Sequence, residues 1–341
     1  MERIMLLDST LRDGGFVNDW NFGEENIVDI IRRLELANID VIEVGYIRDK
    51  IAYNPNRTQF SCVGDIDKTI NKGENSNSLL VATVDYGECS IAAFKPCDKS
   101  CLDGVRVTFK KKNIDEGIAF CKKIKKLGYK VFVQPVSAMD YAEEDVIDLV
   151  KRVNEFSPFS VSIVDTYGVM NQKILSDRVL LMDKMLNVDI YLGYHSHNNL
   201  QLAYSNAISM INLQTRRPLI IDASILGMGK GAGNANTELV ALYLNEFGVK
   251  KYDIDGLAEI ASLYIEKELK THKWGYNLKH FIAAEKKCHP QYVDFLISNK
   301  TLSIYEVNTI LSRIPTENAF TYDSGLISDI YTKYQSEHID N

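Results

Sequence analysis

The residues best equipped for chemistry in this chain stand where apolar runs end. Ile4–Leu7 is a short apolar run that breaks at once into Asp8-Ser9-Thr10-Leu11-Arg12-Asp13-Gly14-Gly15. Charges leaving a buried strand cost free energy unless they meet a metal, a substrate or each other. A polar loop closed by a local Arg12–Asp13 pair satisfies that condition, and so does a ligand site. Much later a second polar cluster, His195-Ser196-His197-Asn198-Asn199, ends another apolar run. His195 and His197 are two apart, so an extended backbone turns both imidazoles to one face. Two neutral imidazoles and a carboxylate make a divalent-metal site with positions left open for substrate. A third stretch, Gly227-Met228-Gly229-Lys230-Gly231-Ala232-Gly233-Asn234, reads either as a flexible connector or as a loop whose amides approach a ligand. Its glycines also let Asn234 reach inward as an oxygen ligand or orienter, while Lys230 meets an anionic substrate or lies in solvent.

The elements that must position these residues follow from the apolar pattern. Runs suited to strands recur at Ile4–Leu7, Val41–Val44, Leu79–Val84, Gly104–Thr108, Val131–Val136, Val161–Val164, Ile190–Tyr194 and Leu219–Ile225. Helical spacing fills most gaps, as over Glu24–Ala37, Ile114–Leu127, Glu143–Phe156, Ile174–Leu186 and Leu200–Ile211, with another helix expected over Thr237–Phe247. Eight strands alternating with helices over about 250 residues predict an α/β fold, a (β/α)8 TIM barrel. A doubly wound sheet would show a glycine fingerprint after its first strand, where this chain has Arg-Asp-Gly-Gly. Barrel strands end at one mouth, so Arg12, Asp13, Glu43, Asp165-Thr166-Tyr167-Gly168, His195, His197 and Asn234 are expected together there. Residues 1–250 then form the catalytic barrel and 251–341 a small helical C-terminal region. Its aromatics (Tyr264, Trp274, Tyr276, Phe281, Tyr292, Phe295, Tyr305) read as packing or subunit contacts, and the polar stretch Tyr331–Asn341 is expected to fray.

Composition narrows the class. The chain has 341 residues, is 45% hydrophobic and 25% charged, and carries a net charge of −7, which argues against a general nucleic-acid or acidic-membrane partner. The basic runs Lys110–Lys112 and Lys122–Lys126 read as solvated helix faces or loop edges. Six scattered cysteines lack the density of a disulfide scaffold, and Cys97 and Cys101 have no second pair at metal-ligand spacing, so reduced thiols are expected. With no cleavable leader and no apolar run near the roughly 20 residues of a membrane helix, a cytoplasmic protein is expected.

The motifs Asp8-Ser-Thr-Leu-Arg-Asp-Gly14, Ile42-Glu-Val-Gly45, Asp165-Thr-Tyr-Gly168, His195-Ser-His-Asn198 and Gly229-Lys-Gly-Ala-Gly-Asn234 occur in this order. In this the chain resembles the DRE-TIM metallolyases (HMGL-like), a group that holds hydroxymethylglutaryl-CoA lyase, the isopropylmalate and citramalate synthases and, nearest in appearance, 4-hydroxy-2-oxovalerate aldolase. The resemblance covers the barrel. It implies that Asp13, His195 and His197 hold Mn2+ or Mg2+, in preference to Zn2+, with Asn234 in or near the shell. It further implies that Arg12 stabilises an enolate, that Glu43 supports the metal and Arg12, and that Thr166 contacts the carboxylate end of a 2-oxo acid. The implied activity is a metal-dependent aldolase, a carbon–carbon lyase acting on a 4-hydroxy-2-oxo acid through a pyruvate-like enolate. A Claisen-type synthase or lyase using an acyl-CoA, and a non-catalytic metal-binding paralogue, are the alternatives. A homo-oligomer is the default, and a dehydrogenase that consumes the aldehyde is a partner the resemblance allows. In the aldolases a histidine usually stands where this chain has Phe16, so the acid/base must come from elsewhere, with Tyr46, Tyr167, Tyr194 and His280 as candidates.

Overall fold

Apolar runs without a polar face bury both sides, and in this chain they close into a ring. The computed structural model describes residues 4–73, 76–246, 248, 252–298 and 302–338. Its strands are β1 (Ile4–Asp8), β2 (Val41–Ile47), β3 (Gln59–Phe60), β4 (Leu79–Asp85), β5 (Gly104–Phe109), β6 (Lys130–Pro135), β7 (Ser160–Asp165), β8 (Tyr191–Ser196) and β9 (Leu219–Ala223). Every pairing is parallel. β1 pairs with β9 from Ile4↔Leu219 to Asp8↔Ala223 and with β2 at Leu7↔Val41, which closes the ring. β3 lies outside that ring, paired only with the end of β2 at Tyr46↔Gln59. The eight remaining strands are the TIM barrel expected from the sequence.

Each expected strand is present within one to three residues, and the differences have local causes. Helix α2 of the ring's first crossover spans Glu24–Leu36, after a single turn α1 at Gly15–Asn18. The helix expected from Ile174 starts at Gln172, because the Asn171 side chain accepts the N–H of Ile174 at 2.9 Å. The helix expected from Leu200 starts at Ala203, whose N–H is taken by the Asn198 side chain, and Gln201 before it has φ 59. Between β4 and β5 only two short 3-10 turns, Ile91–Ala93 and Cys97–Lys99, occupy the connection among the described residues. The helix expected over Thr237–Phe247 is seen as Thr237–Glu246, and Phe247 lies outside the described residues.

The barrel interior is layered with the period of two that strands impose. Leu7, Val41, Val81, Phe132 and Ile220 pack together as an apolar inner layer. Two residues further along the same strands stand Glu43, Thr83, Gln134 and Asp222, all buried. The change from apolar to polar inside one barrel marks the end that does chemistry. β2 makes a slip in register with β4 between Glu43 and Tyr46, and Gly45 at that slip has φ 148 with its Cα against the Thr58 carbonyl, where a side chain would collide.

The main hydrophobic core runs on through Leu257, Ile260 and Ile265. A second, smaller core joins the helices Leu278–Glu285, Pro290–Ile297, Ile304–Leu311 and Ser324–His338 through Tyr292, Leu296, Val307, Ile310 and Ile327. Of the aromatics expected to pack, Tyr292 is fully buried whereas Tyr305 is 83% exposed. The stretch expected to fray is helical to His338; residues 339–341, like 250 and 251 at the expected domain boundary, lie outside the described residues. All six cysteines are free thiols, and no helix among the described residues is long and apolar enough to cross a membrane.

Candidate active site

The turn after β1 divides its polar residues into those that hold the loop and those that face the cavity. Asp8 accepts the N–H and hydroxyl of Thr10 and the hydroxyl of Thr237, and burial pushes its carboxyl up to about 6. Thr10 in turn accepts the N–H of Ile225 at 2.8 Å, tying the loop after β1 to the loop after β9. The Trp20 indole donates to the Arg12 carbonyl and Thr58 to the Leu11 carbonyl, so the backbone behind the charged pair is fixed on both sides. Arg12 and Asp13 are thereby aimed into the mouth.

There Arg12 is held by two carboxylates: Nε donates to Glu43 at 2.8 Å and Nη1 to Asp13 at 2.6 Å. Burial works against the guanidinium charge, but Glu43 and Asp13 outweigh it and hold Arg12 well above the ordinary arginine value. Glu43 also accepts the Thr83 hydroxyl and lies 3.2 Å from Arg106 Nε. Arg106 pairs through Nη2 with Asp222, and Asp222 accepts from His195 Nδ1 at 3.1 Å. One line of alternating charges therefore crosses the barrel, from Asp13 through Arg12, Glu43, Arg106 and Asp222 to His195. Arg106, Thr83 and Asp222 were not among the residues expected from the sequence. A charged side chain at an inward position of Gly104–Phe109, and another in Leu219–Ala223, were the signals available.

Asp13, His195 and His197 come together as expected: one donor atom from each lies within 4.8 Å of the others, and all three residues are buried. His195 uses Nδ1 on Asp222, and His197 Nδ1 lies 3.3 Å from the Gly233 carbonyl, so each ring can present Nε2 as a lone-pair donor. Burial, outweighing the attraction of Asp13, pushes His197 down to about 4 and keeps it neutral. Arg12 and the two histidines hold Asp13 well below the usual carboxylate range despite its burial. Asn234 donates Nδ2 to Asp13 at 2.8 Å, while its Oδ1 is buried without a partner. A buried amide oxygen without a partner, on a side chain that contacts the carboxylate of this cluster, fits a site for a divalent cation. The glycine loop is no slack connector, because a Cβ on Gly229 would overlap Asn234 Nδ2 and Asp13 Oδ2.

Of these groups, Arg12, Asp13, Thr83, Arg106, His195 and His197 line one cavity of about 350 Å3 at the mouth of the barrel, and Glu43, Asp222 and Asn234 stand behind it. Thr166 lies on its wall, accepting the Ser137 N–H at 2.8 Å and keeping its own hydroxyl proton to donate. Phe16 also lines it, edge-on to Trp20 and Tyr46. Of the four acid/base candidates, Tyr46 and Tyr167 reach the cavity. Tyr194 is buried against Asn206, and His280 lies beside Gly231 outside the lining. The lining histidine from the C-terminal region is His289, with Phe320, Thr321 and Tyr322. Tyr167 anchors this cover: its hydroxyl donates to the Phe320 carbonyl at 2.7 Å, and its ring stacks on Phe320 and meets His289 edge-on. Lys110, expected in solvent, also lines the cavity, whereas Lys111 and Lys122 make surface ion pairs with Asp145 and Glu155.

A closed parallel barrel with a carboxylate, two histidines and an arginine at its mouth defines a class of metal-site lyases, and sequence comparison agrees. The chain belongs to the HMGL-like family, whose model matches residues 3–263, and the DRE-TIM metallolyases of that family depend on a divalent metal. It is 28% identical over 250 residues to a 4-hydroxy-2-oxovalerate aldolase of Geobacillus genomosp. 3, covering 73% of this chain and 72% of that one. Another 4-hydroxy-2-oxovalerate aldolase, from Chloroflexus aggregans, is 27% identical over 267 residues, covering 78% and 76% of the two chains. Among solved structures, the N-terminal domain of a candidate aldolase from Bacteroides vulgatus superposes with a TM-score of 0.69 at 24% identity, over 86% of this chain and 96% of that one. The carboxyl transferase domain of Rhizobium etli pyruvate carboxylase shares the fold at a TM-score of 0.69 and 12% identity, covering 99% of this chain and 62% of that one. The chain is a lyase.

Proposed function

We propose that this chain is a divalent-metal-dependent aldolase that forms or cleaves a 4-hydroxy-2-oxo acid through a pyruvate-like enolate. The observation that carries the reading is the junction of Asp13, His195 and His197 with Arg12 in a single cavity. The names of the aldolase relatives point the same way. Asp13, His195 and His197 are the residues that would hold the metal, with Asn234, which donates to Asp13 and keeps a free buried Oδ1, in or near the shell. The carboxylate and amide oxygens are hard donors that suit Mn2+ or Mg2+, while the two imidazoles would serve Zn2+ as well. When bound, such an ion supplies Lewis-acid polarisation of the 2-oxo group, worth several kcal/mol of barrier.

The protein's own groups do the rest. Removing a methyl proton from the 2-oxo acid places negative charge on its oxygen; the enolate carbon then bonds to the aldehyde carbon, and the new alkoxide takes a proton. Arg12 is a fixed cation where that charge develops, since Glu43 and Asp13 hold its fork in place. Glu43 is thus a positioning residue, and so are Arg106 and Asp222, which set the tautomer of His195. The Thr166 hydroxyl is a donor for the carboxylate end, and Arg106 Nη1, buried and unpartnered on the same cavity, is a second. In this reading residues 1–250 supply the reacting site and residues 251–341 cover it.

Exchange of pyruvate methyl protons with solvent deuterium, followed by proton NMR with Mn2+ present, tests the proposal without knowledge of the aldehyde. Exchange that requires the metal and is lost in Arg12→Met is expected. No exchange with Mn2+, Mg2+ or Co2+ would contradict the enolate.

A further inference from the structure

The inner half of the cavity is close to electrical balance. Arg12 and Arg106 face Asp13, Glu43 and Asp222, and a divalent cation with a monoanionic 2-oxo acid would neutralise what remains. Asp85, also on the wall, pairs with Arg48 at 3.6 Å and accepts the Thr108 hydroxyl.

The outer half is not balanced. Lys110, just after β5, and Lys230, in the glycine loop, both line it, and neither has an ion-pair partner among the described residues. Asp140 lies within electrostatic reach of Lys110 but does not pair with it. Lys230 lies over the Phe16 ring, with Nζ 5.3 Å from its centroid. His289 completes the group. Its Nδ1 accepts the N–H of Gln291 at 3.2 Å at the start of Pro290–Ile297, so the ring proton sits on Nε2. Burial, then the charges of Lys230 and Lys110, push this histidine down to about 4, so near neutral pH it is an uncharged N–H donor. Two cations and a donor converge there, with Asp140 and Asp294 within electrostatic reach but no carboxylate paired with either lysine among the described residues. A cavity of about 350 Å3 also exceeds what a three-carbon acid fills.

We propose that this outer half is an anion subsite, and that the aldehyde partner carries a phosphate or carboxylate held by Lys110, Lys230 and His289 Nε2–H. The inference rests on the aldolase reading for its reaction, but its binding claim can be tested separately. Lysine serves as a mobile point charge for such oxyanions, and two exposed ones together give about tenfold in affinity.

The first test is titration calorimetry of the Mn2+-loaded protein with glycerol 3-phosphate, glycerate and glycerol. Glycerol 3-phosphate or glycerate is expected to bind, the tighter of the two identifying the anion. Binding to the Lys110→Met/Lys230→Met variant should be about tenfold weaker, and glycerol should give no heat. The second compares condensation of pyruvate with glyceraldehyde 3-phosphate, succinate semialdehyde, glyceraldehyde and butanal. The ratio of kcat/KM for charged over neutral aldehydes should be about tenfold or more, fall with added salt and collapse in the double variant. Equal use of neutral aldehydes, or a ratio the variant leaves untouched, overturns the subsite while pyruvate proton exchange keeps the aldolase reading alive. Anion binding that depends on the lysines, without pyruvate exchange, upholds the subsite and defeats the aldolase reading.

Discussion

Replacing Arg106 with methionine removes the cation at the centre of the charge line while keeping a long apolar side chain in the barrel. Arg106 is 1% exposed and faces Glu43 and Asp222, themselves 0% and 3% exposed. The two carboxylates are not left equal. Glu43 keeps Arg12 at 2.8 Å and the Thr83 hydroxyl, whereas Asp222 keeps only His195. Breaking a buried pair by removing one partner costs about 3–5 kcal/mol, which for a chain of this size lowers Tm by about 4–10 °C. In the native protein Arg106 and His195 hold Asp222 below the usual carboxylate range against its burial. That stability is present above the unfolded carboxyl value near 4 and is lost as pH falls from there through the lower folded value, so the deficit of Arg106→Met should shrink in acid below about pH 4. A protonated Asp222 also ceases to orient His195, and lost support of this kind weakens metal binding about 10–100-fold. Thermal unfolding from pH 2 to pH 8 and Mn2+ titration near pH 7 by electron paramagnetic resonance measure both effects. Arg106→Met/Asp222→Asn should recover part of the lost Tm, since the stranded charge is gone. A single variant with Tm within 2 °C of the native protein (about 1 kcal/mol or less) and unchanged Mn2+ affinity would refute the reasoning.

Two further outcomes follow from the geometry. Gly229→Ala places a methyl against Asn234 and Asp13, so Mn2+ affinity should fall by about 10-fold or more. Calorimetric titration checks it, and an unchanged Mn2+ affinity would show that the contact of Gly229 with Asn234 and Asp13 does not shape the site. His197, His280 and His289 are all pushed down to about 4, chiefly by burial. The unfolded chain takes up their protons first, near 6.5, so they contribute stability above that pH which is lost progressively as pH falls toward 4. Urea unfolding of the metal-free protein should show this acid slope, and His280→Gln should reduce it.

The sequence made the barrel legible because each strand of a parallel ring is buried on both faces and reads as an apolar run. β3 escaped notice because two residues, Gln59 and Phe60, carry no periodicity. The candidate site was legible where residues leave strand ends in sequence-local clusters, as at Arg12-Asp13 and His195-Ser196-His197. It was illegible where a side chain acts from inside a strand. Arg106 and Asp222 interrupt apolar runs by one residue each, and only the closed barrel shows that the two interruptions face each other. His289 and Lys110 stood beyond reach for another reason. His289 comes to the cavity through the packing of the C-terminal helices over the mouth, anchored by Tyr167 on Phe320, a contact no local motif encodes, whereas Lys110 stands just past the end of β5 inside a basic run that reads as solvated.

The central claim is that Asp13, His195 and His197 hold a metal that presents a 2-oxo acid to Arg12. A crystal structure of the protein with Mn2+ and oxalate, an analogue of the pyruvate enolate, tests it most directly. The account predicts Mn2+ bound by Asp13 and both histidines, with oxalate chelating the metal and one of its oxygens within hydrogen-bonding distance of Arg12. Mn2+ bound elsewhere, or oxalate seated away from Arg12, would contradict it.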